Sequence, residues 1–424
     1  MNILLANWTW YPSGGDWTAV ENLLKLYQQK GHDIIPFAMK DGRNYHTPYG
    51  KYFVEHIDYK ELNKRKSIIN GITVLRRSIY YRESREKLQQ LLEEVKIDIA
   101  HLHNLGPQIT PSILSLLKDF GIPIIWTLHD YGLLCPAVSF VSNGKVCEKC
   151  KGGKYYQCTL NKCKKNSYRV SLVASLRSYI LDLLNVQKYI DVFICPSKFL
   201  MEKFVEYGFD QKRLVHMYNP YDLSETGDMN TNDDVPYSNY ILYVGRIEKV
   251  KGVFSLLKAF QNIKNVDLVI IGSGEEETAC RDFIRSNNLS NVHFPGHMGK
   301  GAVFSFIRNS LFTVCPSECY ENFPYSVVEA MLLGKPVIGS DMGGIPELVR
   351  DGYTGLTFKA GDISDLREKI EYLMLDKERL REYGDNARNH VTQMVNFEAH
   401  YQKMEIIFDK LMGYQWEGFR SPER

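Results

Sequence analysis

The sequence predicts an α/β protein made of two Rossmann-like domains, each a parallel sheet with helices on both faces. Three observations predict this fold class. The 424 residues exceed the usual size of a single domain. Short β-rich runs alternate with longer helical patterns along the whole chain. A polar segment rich in Asp and Asn, residues 222–238, lacks apolar periodicity and separates two arrays of similar size.

The first array contains five buried runs that predict strands and three amphipathic patterns that predict helices. Gly31 follows the first of these helices and is the residue type expected just beyond a helix C-terminus. The predicted strands are residues 3–7, 32–38, 99–102, 123–128 and 192–195, and the predicted helices are residues 17–30, 84–96 and 111–120.

The second array continues the alternation, with predicted strands at residues 240–244, 267–271, 292–294, 312–315, 336–340 and 356–358. Helices are expected to start near Val253, Glu275, Lys300, Pro324, Ile345 and Ile363. We therefore predict a first domain over residues 1–217 and a second over residues 218–395. A last amphipathic helix within residues 396–424 is expected to pack back on the first domain.

Charge and hydropathy exclude two classes of protein. A net charge of +2 argues against a dedicated nucleic-acid binder. No apolar run approaches the ~20 residues of a membrane span, and no signal peptide is visible, so we expect a cytoplasmic protein. Residues 59–87 and 145–169 are strongly basic. These stretches fit an anionic acceptor or the inner face of the plasma membrane, and equally well an ordinary solvated surface. The apolar stretch 168–184 is expected to be a buried helix, with a helix lying on a membrane as the alternative.

The strongest local signal is CPSECYENFPYSVVEA, residues 315–330. A buried strand ends at Cys315 and a helix begins near Pro324, a residue suited to the first turn. Glu321 and Glu329 can both face a ligand resting over the helix N-terminus, where free N–H groups favour a diphosphate. An exposed helix face is the alternative explanation for the two acids.

A second signal, YVGRIEKVKGV, brings two cations to the end of a buried strand. Gly245 follows the strand, and Arg246 and Lys251 follow Gly245. Ligands of parallel sheets bind at this edge, so the two cations can neutralise a departing diphosphate. An ordinary surface loop is the alternative.

The pair R-x4-K-G and E-x7-E, in this order and about seventy residues apart, resembles the retaining glycosyltransferase family four. Members of that family have the GT-B fold, in which two Rossmann-like domains face each other across a cleft. Further matches run along nearly the whole chain: YPSGG, TLHDY, CPSKF, NPYD, IGSGEE and SDMGGIPELV. A cysteine-rich insertion at residues 135–166 points to a subgroup of this family.

The resemblance implies a role for each matched residue. Arg246 and Lys251 would bind the donor diphosphate, Glu321 the transferred sugar and Glu329 the ribose. His129 would face the reacting sugar from the first domain. Asn322 stands where family members often have glycine. The remaining donor-binding residues would be Gly14 and Gly15 in a closing loop, Gly245, His297 against the base, and Asn322, Phe323, Pro324 and Tyr325 after the first acid.

The activity implied is transfer of a hexose, with retention, from a nucleoside diphosphate sugar to a glycan or lipid-linked glycan in polysaccharide biosynthesis. A UDP-sugar is favoured over a GDP-sugar as donor. No D-x-D motif is present, so catalysis is expected to need no metal cofactor. An incomplete GxGxxG makes NAD unexpected. A nucleotide-sugar epimerase of the same fold and a non-catalytic carbohydrate- or nucleotide-binding protein are the alternatives.

Five of the nine cysteines crowd into residues 135–163. Cys147, Cys150, Cys158 and Cys163 could form a tetrahedral thiolate site for structural zinc. Disulfides or free thiols remain open alternatives. The lysines and tyrosines of this insertion suit a cap that contacts a glycan or an anionic lipid.

Overall fold

A computed structural model describes residues 1–56, 68–106, 108–227 and 235–413. Part of the first basic stretch, part of the polar segment 222–238 and the end of the last predicted helix (residues 414–424) lie outside the described residues.

The first domain is built on a six-stranded parallel sheet of strand order β2-β1-β3-β4-β7-β8. Successive side chains of β1 are fully buried because helices cover both faces. The strands are β1 Asn2–Ala6, β2 Asp33–Phe37, β3 Ile99–Leu102, β4 Ile124–Thr127, β7 Val192–Cys195 and β8 Leu214–His216, and a separate antiparallel hairpin joins β5 Val141–Ser142 to β6 Lys145–Val146.

Eight α-helices of the described residues belong to this half of the chain. Ser197 begins one of them, since its hydroxyl accepts a hydrogen bond from the N–H of Leu200. They are Gly15–Gln29, Ile68–Ile79, Arg82–Glu94, Ser112–Asp119, Tyr156–Leu160, Tyr168–Leu183, Lys198–Glu206 and Ser224–Gly227.

The second domain repeats the architecture with strand order β11-β10-β9-β12-β13-β14, again parallel. The strands are β9 Tyr240–Val244, β10 Asp267–Ile271, β11 Val292–Gly296, β12 Thr313–Cys315, β13 Val337–Ser340 and β14 Gly355–Phe358. The helices are Val253–Phe260, Glu277–Ser286, Lys300–Asn309, Tyr325–Leu332, Ile345–Leu348, Ile363–Met374 and Lys377–Met394. Two parallel Rossmann-like sheets confirm the predicted fold class.

The last helix, Phe397–Met412, lies against the first sheet. Met404, Ile407 and Phe408 share a buried cluster with Ile3 and Leu5 of β1. The chain therefore leaves the first domain, builds the second and returns.

The helix Tyr168–Leu183 differs from the prediction. Its buried side is formed by small residues such as Ser171, Ala174 and Ser178, whereas Leu172 and Leu176 are exposed. The expectation of a buried helix was wrong because apolar residues occur on both sides of the helix, and composition does not tell which side faces the core. No helix among the described residues is both long enough and apolar enough to span a membrane.

Candidate active site

The loops at the carboxyl ends of the two sheets touch at Asn322. Its side-chain N–H donates at 3.0 Å to the carbonyl of Leu128, the residue that follows β4 in the first domain. The hydroxyl of Ser197 donates to Asn322 Oδ1 at 2.8 Å. These loops follow β4, β7 and β12, so the cleft edge of each domain is held against the other. Asn322, predicted to bind the donor, joins the two domains here.

Lys251 and Glu321 form a largely buried ion pair at this edge, with side chains 20% and 14% exposed. Lys251 Nζ lies 2.6 Å from Glu321 Oε1, and the hydroxyl of Ser317 donates to the same oxygen at 2.6 Å. Gly252 allows the approach of the two loops: its φ is +70°, and a Cβ there would lie 1.8 Å from the Pro316 carbonyl. A cation and a carboxylate predicted from motifs seventy residues apart are thus in direct contact.

Two opposing effects set the charges of this pair. Burial raises the pKa of Glu321, but the Lys251 charge and the hydrogen bonds from Lys251 and Ser317 outweigh it, so the net pKa is lowered. For Lys251, burial lowers the pKa and the Glu321 charge raises it more, for a net increase. Both side chains are therefore charged at neutral pH.

Arg246 is the second predicted cation. Its guanidinium is 70% exposed and donates to Glu248 Oε1 at 2.7 Å. Its charge also contributes to the low pKa of Glu321, which places it near the buried pair. Gly245 lies just before it, where its N–H donates to the Ile271 carbonyl. Lys251 is paired with Glu321, whereas Arg246 is exposed, so Arg246 can contact an anion that enters from solvent.

Glu329 lies one turn into the helix Tyr325–Leu332. The hydroxyl of Tyr221, a fully buried residue, donates to Glu329 Oε1 at 3.1 Å. Burial raises the pKa of Glu329 to about 7, and the Lys300 charge and the Tyr221 hydrogen bond oppose that rise. This carboxyl group therefore changes protonation state near neutral pH.

The N-terminus of the same helix faces the first domain. Pro324 precedes the helix, and Phe323 packs edge-on against Tyr325, with ring centroids 5.7 Å apart. A Cβ on Gly15 would lie 3.5 Å from the Tyr325 ring, and Gly14 has a φ of +139°. The predicted glycine loop therefore lies directly opposite the predicted anion-binding helix. His297, predicted to contact the base, is exposed.

His129 belongs to a column of three histidines at the ends of β3 and β4. The His101 and His103 rings stack at 4.5 Å, and those of His103 and His129 at 5.1 Å, with His103 Nδ1 2.8 Å from His129 Nε2. Burial lowers the pKa of His129 to about 4 and that of His101 to about 3, and it lowers the pKa of His103 as well. All three rings are uncharged at neutral pH. The resemblance singled out His129 alone, and the structure shows that His103 is in direct contact with it.

Glu347 makes an interdomain contact that the sequence did not predict. Its two carboxylate oxygens accept hydrogen bonds from the N–H groups of Lys198 and Phe199, both at 2.9 Å. Tyr218 OH donates to the same carboxylate at 3.2 Å. A residue of the second domain thus caps a helix of the first. The SDMGGIPELV motif contains Glu347, but the sequence does not reveal a partner 149 residues away.

The cysteine-rich insertion also reaches the second domain. Tyr320, the neighbour of Glu321, donates from its hydroxyl to Glu148 Oε1 at 2.8 Å. Lys203 donates to the same oxygen at 2.8 Å. A Cβ on Gly144 would lie 2.8 Å from Lys249 Cε. The insertion, predicted to contact a glycan or an anionic lipid, also contacts the loop that contains Glu321.

The four predicted zinc ligands lie within this insertion. Cys158 donates a hydrogen bond to Cys163, which lowers the pKa of Cys163 to about 6 despite its burial. No group of three or more His, Cys, Asp or Glu side chains is arranged to hold a metal ion anywhere in residues 1–56, 68–106, 108–227 and 235–413. Zinc binding by Cys147, Cys150, Cys158 and Cys163 stays a prediction of the sequence.

Comparison with known families decides the class. Residues 13–225 match the family described as Glycosyltransferase Family 4, and residues 230–390 match Glycosyl transferases group 1. The chain belongs to glycosyltransferase family 4. The predicted family is confirmed, while the cysteine-rich subgroup stays a prediction.

Relatives of this glycosyltransferase include an uncharacterized glycosyltransferase of Methanocaldococcus jannaschii, 28% identical over 397 residues, or 92% of each chain. The capsular polysaccharide biosynthesis glycosyltransferase CapM of Staphylococcus aureus is 30% identical over 181 residues, which cover 41% of this chain and 47% of that protein.

Two solved structures show the same fold. Sucrose-phosphate synthase from Thermosynechococcus elongatus superposes with a TM-score of 0.72 at 19% identity, covering 98% of this chain and 100% of that one. Anabaena HepE, solved in complex with UDP and glucose, superposes with a TM-score of 0.66 at 17% identity, covering 97% and 100%. At these identities the likeness concerns the fold alone.

Proposed function

We propose that this glycosyltransferase moves a hexose, with retention, from a UDP-sugar to a glycan or lipid-linked glycan acceptor in polysaccharide biosynthesis. The observation that carries the proposal is the buried Lys251–Glu321 pair, held at the edge where the two domains meet. In this proposal residues 1–217 bind the acceptor and residues 218–395 bind the donor.

Each site residue has one role in the proposed reaction. Lys251 and Arg246 neutralise the diphosphate, together with the N-terminus of the helix Tyr325–Leu332. Glu321 hydrogen-bonds the transferred sugar, and Glu329 accepts hydrogen bonds from the ribose hydroxyls. The bond between sugar C1 and the diphosphate oxygen breaks while the acceptor oxygen bonds C1 on the same face. The acceptor proton passes to the departing diphosphate, and in this proposal the two cations and the helix N-terminus take the place of a metal ion in neutralising it.

His129 and the glycine loop complete the site from the first domain. The neutral His129 ring can donate or accept a hydrogen bond at the sugar without adding charge. Gly14 and Gly15 let the backbone approach the diphosphate closely. UDP is favoured as the nucleotide, and the structure of Anabaena HepE, in complex with UDP and glucose, supports this choice by analogy of fold.

We also propose contact with the inner face of the plasma membrane through the helix Tyr168–Leu183. Five exposed apolar residues lie at helical spacing along one side: Tyr168, Leu172, Leu176, Tyr179 and Leu183. Lysines of the neighbouring insertion would attract anionic lipid. Sedimentation with phosphatidylglycerol vesicles tests this contact. Binding should fall with added salt and in a Leu172→Asp/Leu176→Asp variant, and equal binding to phosphatidylcholine vesicles would contradict it.

The donor is tested by a thermal-shift panel of UDP, GDP, ADP and their sugars. A ligand that binds only the native state stabilises it by about 2.7 kcal/mol at a hundred times its Kd. UDP and one UDP-sugar should raise the melting temperature most, and a larger shift with GDP would contradict the proposed nucleotide. Turnover should survive a metal chelator and should require an acceptor. A new sugar nucleotide formed without acceptor would indicate an epimerase.

The role of Lys251 is tested by Lys251→Met, with Lys264→Met as the control at an exposed site of the same domain. We expect kcat to fall about a hundredfold or more, because a preorganised charge facing the leaving group is lost. Lys251→Met also leaves Glu321 buried without its cation. The double variant Lys251→Met/Glu321→Gln should therefore regain stability without regaining turnover. Unchanged kcat in Lys251→Met would remove this residue from the reaction.

A further inference from the structure

The first domain contains a cavity of about 330 Å³ beside the histidine column. His103 and His129 line one end of it. Its walls come from the helices Ile68–Ile79 and Tyr168–Leu183 and from the start of the insertion. Most of the wall is apolar, with side chains such as Val74, Leu105, Leu133, Val138 and Val173.

Four charged groups line this cavity, and Asp130, Lys164 and Arg177 are close enough to influence one another's ionisation. Lys164, Lys165 and Arg177 line it together with a single acid, Asp130. Arg177 Nε donates to the Ser78 carbonyl at 3.2 Å, which fixes the guanidinium at the wall. Since the histidines are neutral, three cations face one carboxylate, and the cavity has an excess of positive charge.

Lys164 is the most informative of these residues. Its ammonium has no hydrogen-bond or ion-pair partner in the described part of the chain. Burial lowers the pKa of this ammonium, and the nearby Arg177 charge lowers it further. A desolvated cation beside a second cation is costly unless an anion joins them. The Asp130 carboxylate offers only partial compensation: burial raises its pKa, and Oδ1 accepts a hydrogen bond from the Gly132 N–H at 2.7 Å.

The charged and the apolar lining residues of the cavity suit different parts of a ligand. The guanidinium of an arginine and the ammonium of a lysine are suited to bind the oxygens of a phosphate. The apolar wall excludes a ligand that is hydroxylated all over, since sugar hydroxyls would lose their hydrogen bonds to water there. A phosphate joined directly to hydrocarbon suits both sets of lining residues. His129 lines the same cavity, so a ligand bound there would lie next to the side chain proposed to face the reacting sugar.

We propose that this cavity binds the acceptor as a phosphate-bearing amphiphile. Lys164 and Arg177 hold its phosphate, and Val74 and Val173 contact its hydrocarbon. The assignment of the ligand as acceptor rests on the proposed function. It also gives the cysteine-rich insertion a role, because Lys164 belongs to the insertion and directly follows Cys163.

Calorimetric titration of the full chain with octyl phosphate, below its micelle concentration, tests the proposal. Octyl phosphate should bind more tightly than inorganic phosphate, which lacks hydrocarbon, and than octyl glucoside, which lacks charge. Equal affinity for inorganic phosphate would overturn the role of the apolar wall. Equal affinity for octyl glucoside would overturn the role of the cations.

Two variants at the site and one control locate it. Lys164→Gln should weaken octyl phosphate about tenfold or more, as expected for the loss of a charge-assisted hydrogen bond. Lys154→Gln removes the same charge from an exposed position of the insertion that does not line the cavity, and it should bind like the wild type. Val173→Thr keeps the side-chain shape and should weaken octyl phosphate several-fold while leaving inorganic phosphate unchanged. Identical affinities in Lys164→Gln and Lys154→Gln would sink the proposal.

UDP binding, measured on the same samples, separates this proposal from the function on which it rests. Each variant should bind UDP as the wild type does, which also shows that it is folded. UDP binding without octyl phosphate binding would overturn the acceptor assignment alone. Absence of UDP binding in the wild type would overturn the proposed donor instead.

Discussion

Glu329 is placed where its chemistry and its contribution to stability conflict. In the role we propose, the ribose hydroxyls donate to a charged carboxylate, which is the stronger acceptor, whereas burial of Glu329 favours the protonated form. Tyr221 and Lys300 reduce this cost without removing it, because the pKa still lies near 7. The folded protein therefore holds a proton at Glu329 that the unfolded chain has already lost above its ordinary pKa of 4.5.

This conflict predicts how Glu329→Gln changes stability with pH. Because the folded-state pKa is raised, the contribution of the wild-type residue is complete below 4.5 and is lost as the pH rises through about 7. Glutamine never ionises. We therefore expect the variant to be more stable than the wild type at pH 8, with a free energy of unfolding up to about 3 kcal/mol larger. Scanning calorimetry should show a smaller difference at pH 5. The variant should nevertheless bind UDP more weakly than the wild type.

A control at an exposed acid separates this effect from a general change of charge. Glu371→Gln removes the same charge from the surface of the second domain. Its melting temperature should follow that of the wild type at both pH values. A pH-independent gap for Glu329→Gln would mean that the buried carboxyl does not titrate as described.

The sequence could predict these side chains but not their partners. Lys251 and Glu321 are found from motif spacing and from their place after buried strands. Ser317 and Tyr221 are not, because nothing local marks a hydroxyl as the one that meets a carboxylate. Asn322 was assigned to the donor from its position in the motif, and its contacts to the other domain emerge only when both sheets are folded.

At the scale of elements, the helix Lys198–Glu206 depends on a cap from outside its own domain. Ser197 satisfies the N–H of Leu200, and Glu347 satisfies the two N–H groups before it, those of Lys198 and Phe199. A carboxylate at a helix N-terminus also interacts favourably with the helix dipole. The cap therefore stabilises one helix and at the same time holds the two domains together.

Removing that cap has a predictable cost. Glu347→Ala should destabilise the protein by about 1 kcal/mol. It should also increase the radius of gyration without ligand, because an interdomain contact is lost. Thermal unfolding and small-angle X-ray scattering measure the two effects, with Glu371→Ala as the control. If the two variants were indistinguishable in both measurements, the carboxylate would not join the domains in solution.

Elements with strong periodicity were predictable and short ones were not. All eleven predicted strands correspond to strands of the two six-stranded sheets. The missed strand β8 has only three residues, and the hairpin strands β5 and β6 have two each. Such short runs form only because a neighbouring strand or turn is already in place. The helix Tyr168–Leu183 was found, but the side that faces the core was not, because serines and alanine pack inward there.

At the scale of the whole molecule, the chain builds the first domain, then the second, and ends in a helix that packs on the first. The alternation of strands and helices was sufficient to predict two parallel sheets, since crossover connections leave few other arrangements. The boundary at residue 217 stays a prediction. What could not be predicted is how the two domains are held together: Tyr320 and Asn322 in the loop after β12, and Glu347 in the helix Ile345–Leu348, contact the first domain. These contacts depend on the relative placement of complete domains.

The returning helix Phe397–Met412 predicts that a substitution near the end of the chain weakens the first domain. Phe408 is 2% exposed and packs in the cluster that contains Trp10 and Trp17, so Phe408→Ala should cost about 3 kcal/mol. None of the five tryptophans lies between residues 218 and 395, so tryptophan emission during urea unfolding does not report on the second domain. The urea midpoint followed by tryptophan emission should fall in Phe408→Ala. It should remain unchanged in Ile406→Ala, because Ile406 of the same helix is 54% exposed. An unchanged midpoint in Phe408→Ala would mean that this helix does not stabilise the first domain.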